Sequence, residues 1–85
     1  MNQHYDVSSV REALSAEIES IVKDLFPEGR REGNELRCGS IEGEKGRSLS
    51  ISLNGSKMGQ WHDHSTEQGG DIFTLIQEKK GKTFS

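Results

Sequence analysis

The first third of the chain carries apolar residues at intervals of three and four, which is the period of an amphipathic helix. The apolar stripe consists of Val10, Leu14, Ile18, Ile21, Val22 and Leu25. Ser9 and Glu12 have the spacing of a capping box, so the pattern predicts a helix that begins at Ser9. Phe26-Pro27 and Gly29 are expected to end it. We therefore expect residues 1–28 to pack as an amphipathic helix on the rest of the domain.

The middle of the chain has the pattern of short strands. Glu35–Cys38 is predicted to be one strand, and Ser48–Leu53 alternates between apolar residues and serines, as a half-buried strand does. Asn54-Gly55 is a strong hairpin signal, which predicts a returning strand over Ser56–Trp61. Together these segments predict an antiparallel sheet of about three strands.

The register of this hairpin decides the position of the only Trp. A two-residue loop places Trp61 opposite Ser48, on the serine face, where an exposed indole would suit base stacking. A three-residue loop with a bulge places it opposite Leu49 and buries it. We favour the buried position, because a small domain seldom leaves its only Trp outside the core.

A second helix is predicted after the sheet. Asp71 is the expected N-cap, Gly69-Gly70 would form a sharp approach, and the apolar residues Ile72, Leu75 and Ile76 would be buried. Lys79, Lys80 and Gly81 have the charges and the helix breaker expected at its end. The predicted fold class is therefore α+β, a small antiparallel sheet flanked by an N-terminal and a C-terminal helix, with residues 82–85 as a tail that leads into a further region.

Size and composition restrict how such a domain can be stabilised. The chain has 85 residues, of which 29% are hydrophobic, and a single cysteine. One cysteine excludes an intrachain disulfide, so the domain depends on its core, on a partner or on a metal. Without a signal-peptide pattern or an apolar run of membrane-spanning length, the expected location is the cytoplasm.

The net charge of −3 alone argues against nucleic-acid binding, but the charge is unevenly distributed. Residues 1–28 carry −4, residues 29–62 carry +2 and residues 63–85 carry −1. The positive excess therefore falls on the predicted sheet, and it fits either an ordinary mixed surface or a face that binds phosphates.

The second half of the chain contains Trp61-His62-Asp63-His64-Ser65 and then Gly69–Ile76, an order in which an aromatic residue ends a strand and Gly-Gly-Asp leads into a short helix. This order resembles the zinc-ribbon domain at the front of bacterial-type DNA primases. Leu36–Ile41 and Lys45–Ile51 match the earlier part of the same pattern. It spans about Phe26 to Gly81 and is similar to the degenerate ribbons of phage and plasmid primase or primase-helicase proteins.

The metal ligands of that family are largely replaced in this chain. Cys38 is retained, whereas Ile41 stands in place of a His, and Asp63 and Thr66 stand where a pair of cysteines is found. Zinc in structural sites needs four well-placed ligands. The remaining candidate ligands are Cys38, His62 and His64, and a distorted site would require the chain to turn at Asp63. We therefore expect a ribbon without a metal or other cofactor.

The resemblance implies a DNA-binding accessory domain of a phage or mobile-element primase or primase-helicase that engages single-stranded template during replication. The residues expected to contact DNA are Arg30, Arg31, Arg37, Lys45, Arg47 and Lys57 at phosphates, and Trp61 or His62 at a base. No nucleophile with an oxyanion motif is present, so this chain alone is not expected to be an enzyme. The expected partners are single-stranded DNA and the catalytic or helicase domain of the same polypeptide or replisome, in a bacterial or phage-infected cell. The alternative is a protein-interaction module that keeps the fold and binds neither zinc nor DNA.

Overall fold

The computed structural model describes the backbone of residues 7–84 and the side chains of residues 12–81. Within this range the chain forms two helices and a five-stranded antiparallel sheet, so the predicted α+β class is confirmed. The elements in chain order are α1 (Val7–Leu25), β1 (Arg30–Glu32), β2 (Glu35–Cys38), β3 (Leu49–Ser52), β4 (Trp61–Asp63), β5 (Gln68–Gly70) and α2 (Ile72–Phe84). No helix in the described part of the chain combines the length and the apolar character needed to cross a bilayer.

Helix α1 packs on the sheet through its C-terminal half. The described helix already includes Ser9, so the predicted start there is wrong, and the Ser9 side chain of the proposed capping box lies outside the described range. Val22 is fully buried, whereas Leu14 is 51% exposed. Among the described residues of the predicted stripe, Ile18, Val22 and Leu25 contact the core and Leu14 does not, while the Val10 side chain lies outside the described range. The helix ends at Leu25, as the sequence predicts.

The sheet has five strands in the order β1-β2-β3-β4-β5, and not the three that the sequence predicts. The two additional strands are the edges, β1 with the sequence Arg-Arg-Glu and β5 with the sequence Gln-Gly-Gly. Neither segment alternates between apolar and polar residues, because neither buries a row of side chains. The predicted strand at Glu35–Cys38 is confirmed.

The register of the ladder separates the sheet into two faces. Leu36, Ile51 and Trp61 lie opposite one another across β2, β3 and β4, on the side that packs against the helices. We call this side the core face. Its buried residues share one cluster with residues of α1, of α2 and of the connecting segments. The members of the cluster are Val22, Phe26, Leu36, Cys38, Ile41, Leu49, Ile51, Leu53, Trp61 and Leu75.

The connection between β3 and β4 is longer than the predicted tight hairpin. Ile51 pairs with Trp61, which matches neither register considered from the sequence, and Ser56–Gln60 forms turns in place of a returning strand. The reason is that Leu53 is fully buried and its amide donates to the carbonyl of Asn34 at 2.8 Å, outside the β3–β4 pair. The chain then returns through turns that use Gly55 and Gly59 at positive φ.

Helix α2 starts as predicted and ends later. The Asp71 carboxylate accepts a hydrogen bond from the Thr74 amide at 2.9 Å, which confirms the N-cap, and Leu75 is fully buried. The helix continues to Phe84, three residues past Gly81, so the predicted end is wrong. A single glycine inside a helix costs only about 1 kcal/mol relative to alanine, which is too little to force a stop.

Candidate nucleic-acid interface

The face of the sheet opposite the helices carries most of the residues that the sequence suggested for DNA contact. We call it the open face. Along each strand, its side chains alternate with those of the core face. One row across the sheet contains Arg30, Arg37, Ser50 and His62, which pair in register from β1 to β4. The next row contains Glu32, Glu35 and Ser52.

Arg30 and Arg31 are neighbours in the sequence but lie on opposite faces. The Arg31 guanidinium contacts both carboxylate oxygens of Glu19 on α1, each at 2.9 Å, so its side chain points to the helix side. Arg30 therefore points to the open face, directly opposite Arg37. Since Arg31 belongs to the contact between sheet and helix, the structure does not gather all six predicted basic residues on one surface.

Two other arginines on the open face are held by glutamates of the second row. Arg37 lies 3.0 Å from Glu35, and its guanidinium also donates to the backbone carbonyl of Arg47 at 3.1 Å. The Arg47 side chain lies 2.8 Å from Glu32 and is 69% exposed. The ion pair of Arg47 with Glu32 is exposed, and such pairs contribute little stability, so a phosphate can replace Glu32 at small cost.

Lys45 and Lys57 lie in loops on different parts of the surface. Lys45 precedes β3 and approaches Glu28 at 3.9 Å, outside the two rows of the open face. Lys57 lies in the turn before β4, at the edge of a shallow polar depression on the open face. The depression is lined by Glu35, Ser50, Ser52, Lys57, Gln60, Trp61, His62 and His64.

The aromatic group available on this face is a pair of histidines and not the tryptophan. The rings of His62 and His64 meet edge to face, with centroids 4.5 Å apart, and the His62 side chain is 40% exposed. Trp61 is only 5% exposed, and its indole N–H donates to the Asp71 carbonyl at 3.0 Å. The expectation that Trp61 belongs to the core is confirmed. A base-stacking role therefore does not fit Trp61 and falls to His62.

His64 and the serines of β3 were not among the DNA-contacting residues expected from the sequence. The strict alternation of Ser48–Leu53 already placed serines on one face, and that signal pointed to Ser50 and Ser52. The spacing of His62 and His64 was the signal for His64, because residues two apart in an extended segment lie on the same face, and the two rings do meet there.

The remaining candidate zinc ligands do not converge. Cys38 is fully buried on the core face, whereas His62 and His64 lie on the open face. The chain does turn after Asp63, but the sheet still separates the thiol from both imidazoles. In the described part of the chain no three His, Cys, Asp or Glu side chains are grouped as metal ligands. These residues therefore do not fit a zinc site.

Cys38 has the environment of a structural thiol. Burial, assisted by the nearby Glu44 carboxylate, raises the pKa of its thiol to about 11. The thiol donates to the Ser40 carbonyl at 3.5 Å. Since the thiolate is the reactive form of cysteine, this environment does not suit a nucleophile at neutral pH.

Asp63, which stands where the resembled family has a cysteine, closes the turn after β4. It is 3% exposed and accepts hydrogen bonds from the Ser65 amide at 2.9 Å and the Ser65 hydroxyl at 2.7 Å. Burial raises the pKa of its carboxyl, but the hydrogen bonds from Ser65 and Thr66 outweigh burial and lower that pKa overall. The charged Asp63 carboxylate therefore stabilises this loop through hydrogen bonds from residues of the turn.

Comparison with known proteins adds no relative to this description. No family model matches the chain, and neither the curated proteins nor the solved structures contain a match. The likeness to the primase ribbon therefore rests on the motifs of the sequence alone, and the functional argument rests on the open face.

Proposed function

We propose that this chain is a DNA-binding accessory domain of a phage or mobile-element DNA primase or primase-helicase, which engages single-stranded template through the open face. The observation that carries the proposal is the composition of that face. Arginines stand at one end, an exposed pair of histidine rings at the other, and both helices pack on the opposite side of the sheet. Proteins that bind single-stranded DNA usually combine cationic side chains, which contact the phosphate backbone, with aromatic rings, which stack on the bases.

In this proposal the arginines exchange partners when DNA binds. Arg37 and Arg47 leave Glu35 and Glu32 for phosphate oxygens, which guanidinium groups bind in a bidentate manner. Lys57 supplies a further cation beside the depression, and His62 stacks on a base. The domain itself performs no chemistry, and polymerisation belongs to a catalytic or helicase domain of the same polypeptide or replisome in the cytoplasm.

The direct test is binding of a labelled oligothymidylate of about twelve nucleotides, followed by fluorescence anisotropy at about 50 and 200 mM salt. We expect the affinity to fall with salt, and Arg47→Gln to reduce the salt slope by about 0.7 for the lost single-strand phosphate contact. Arg31→Gln is the matched control, because it removes the same charge from the helix side. Absence of binding by the wild-type protein at low salt would refute the proposal.

A protein-interaction module is the second candidate function, favoured by one observation. Among the described residues, the large apolar side chains that are exposed are Phe73 on α2, at 72%, and Leu14 on α1, at 51%, and both are open to a partner protein. This function predicts that Phe73→Ser abolishes binding to an isolated replication protein and leaves the circular dichroism spectrum unchanged. It also predicts that oligothymidylate does not bind.

A further inference from the structure

The open face places like charges directly opposite each other. Arg30 pairs with Arg37 and Glu32 pairs with Glu35 across β1 and β2. Side chains in such positions have Cβ atoms about 5 Å apart, and like charges there are unfavourable. A chain that used these residues only for stability would alternate the signs, so this arrangement requires another explanation.

The ion pairs around these residues resolve only part of this conflict. The two glutamates are compensated, since Arg37 contacts Glu35 at 3.0 Å and Arg47 reaches Glu32 at 2.8 Å. Within the described part of the chain, Arg30 has no carboxylate within ion-pair distance, while it stands opposite Arg37. An anion held between the two guanidinium groups would remove the repulsion.

The two rows also define the direction in which a polyanion can cross the open face. The first row runs at right angles to the strands from Arg30 through Arg37 and Ser50 to His62, over three strand spacings or about 14 Å. Ser50 lies between Arg37 and His62 in this row and is only 8% exposed, so a strand that crosses here contacts mainly the side chains on either side of it. A polyanion that instead followed β1 or β2 along their length would pass over Glu32 or Glu35.

We propose that single-stranded DNA crosses the sheet at right angles to the strands, with one phosphate bound between Arg30 and Arg37 and a base stacked on His62. This path rests on the proposed function and specifies it further. At a stacked spacing of about 3.4 Å per nucleotide, 14 Å corresponds to about four nucleotides. The glutamate row forms the boundary of the path and competes for Arg37 in the free protein.

This path predicts opposite effects on stability and on binding at one residue. Arg30→Gln removes a positive charge that faces Arg37 and has no carboxylate within ion-pair distance in the described part of the chain. The urea midpoint of unfolding is therefore expected not to fall. The same change removes a phosphate contact, and a slope of about 0.7 per contact corresponds to a loss of affinity of roughly fivefold to tenfold at about 50 mM salt. A residue that only stabilised the fold would not show this combination.

The experiment compares octathymidylate binding and urea unfolding for the wild-type protein, Arg30→Gln, Lys57→Gln and the control Arg31→Gln. We expect Arg30→Gln to weaken binding more than Lys57→Gln, which lies beside the second row, and Arg31→Gln to leave binding unchanged. If the wild-type protein binds octathymidylate and only Lys57→Gln weakens that binding, the path is wrong and the proposed function stands. If the wild-type protein does not bind at low salt, both are wrong.

Discussion

Replacing Asp63 by Asn tests whether a charged, buried carboxylate holds the turn after β4. The side chain is 3% exposed and accepts two hydrogen bonds from Ser65, at 2.9 Å from the amide and 2.7 Å from the hydroxyl. Asn can keep one acceptor oxygen, but it loses the charge and presents an amide N–H₂ where the second carboxylate oxygen stood. Hydrogen bonds to charged groups contribute about 1.5–3 kcal/mol, against about 1 kcal/mol for neutral groups.

From these values we expect Asp63→Asn to lower the free energy of unfolding by about 2 kcal/mol. A domain of this size has a total stability of roughly 4–13 kcal/mol, so the loss is large and easily measured. Urea unfolding followed by Trp61 fluorescence is a suitable assay, because the buried indole becomes exposed on unfolding. Ser65→Ala is the matched control, since it removes the hydroxyl donor and leaves the amide and the charge in place.

The effect of Asp63→Asn should also depend on pH. The pKa of Asp63 is lowered in the folded protein, whereas an unfolded Asp has a pKa of about 3.9. The charged contact therefore contributes its full stabilisation above the unfolded pKa and loses it as the pH falls through the folded pKa. Equal urea midpoints for the variant and the wild-type protein at pH 7, or a difference that does not shrink in acid, would show that the charge of Asp63 does not hold the turn.

Two further predictions concern the core and the turn before β4. Because burial raises the pKa of Cys38 from 9.0 to about 11, the thiolate fraction at pH 8 falls about 100-fold. A charged disulfide reagent should therefore label the folded protein at least that much more slowly than the protein in urea, and equal rates would contradict the buried position. Gly59→Ala should destabilise more than Gly55→Ala: both glycines have positive φ, but an added Cβ at Gly59 comes within 3.2 Å of Ile72, whereas at Gly55 it meets nothing within 4 Å. Equal urea midpoints of the two variants would show that Ile72 yields at no cost.

The parts of the fold that the sequence predicted correctly are encoded by neighbouring residues. The strand Glu35–Cys38 and the N-cap Asp71 depend on alternation and on a side chain that bonds an amide three residues later. The prediction of a tight hairpin at Asn54-Gly55 was wrong because Leu53 is bound by a residue that is distant in the sequence. Its carbonyl accepts a hydrogen bond from the Ser15 hydroxyl of α1 at 2.7 Å, and no local pattern contains that contact.

The candidate site shows the same division between local and distant information. The sequence identified the basic residues and the aromatic positions, but the face that each occupies depends on strand register. Arg30 and Arg31 show this most clearly, because only the pairing of β1 with β2 and the contact of Arg31 with Glu19 separate them. The edge strand β1 has no apolar pattern, so the sequence could not have provided that pairing.

The negative net charge does not decide whether the open face attracts DNA, because part of the negative charge lies on the other side of the sheet. Four carboxylates of α1 belong to a helix that packs on the core face, namely those of Glu12, Glu17, Glu19 and Asp24. Packed layers lie about 10 Å apart, and the Debye length at physiological ionic strength is about 8 Å. Charges on the far layer are therefore largely screened from the open face, whereas the arginines act on a bound strand directly.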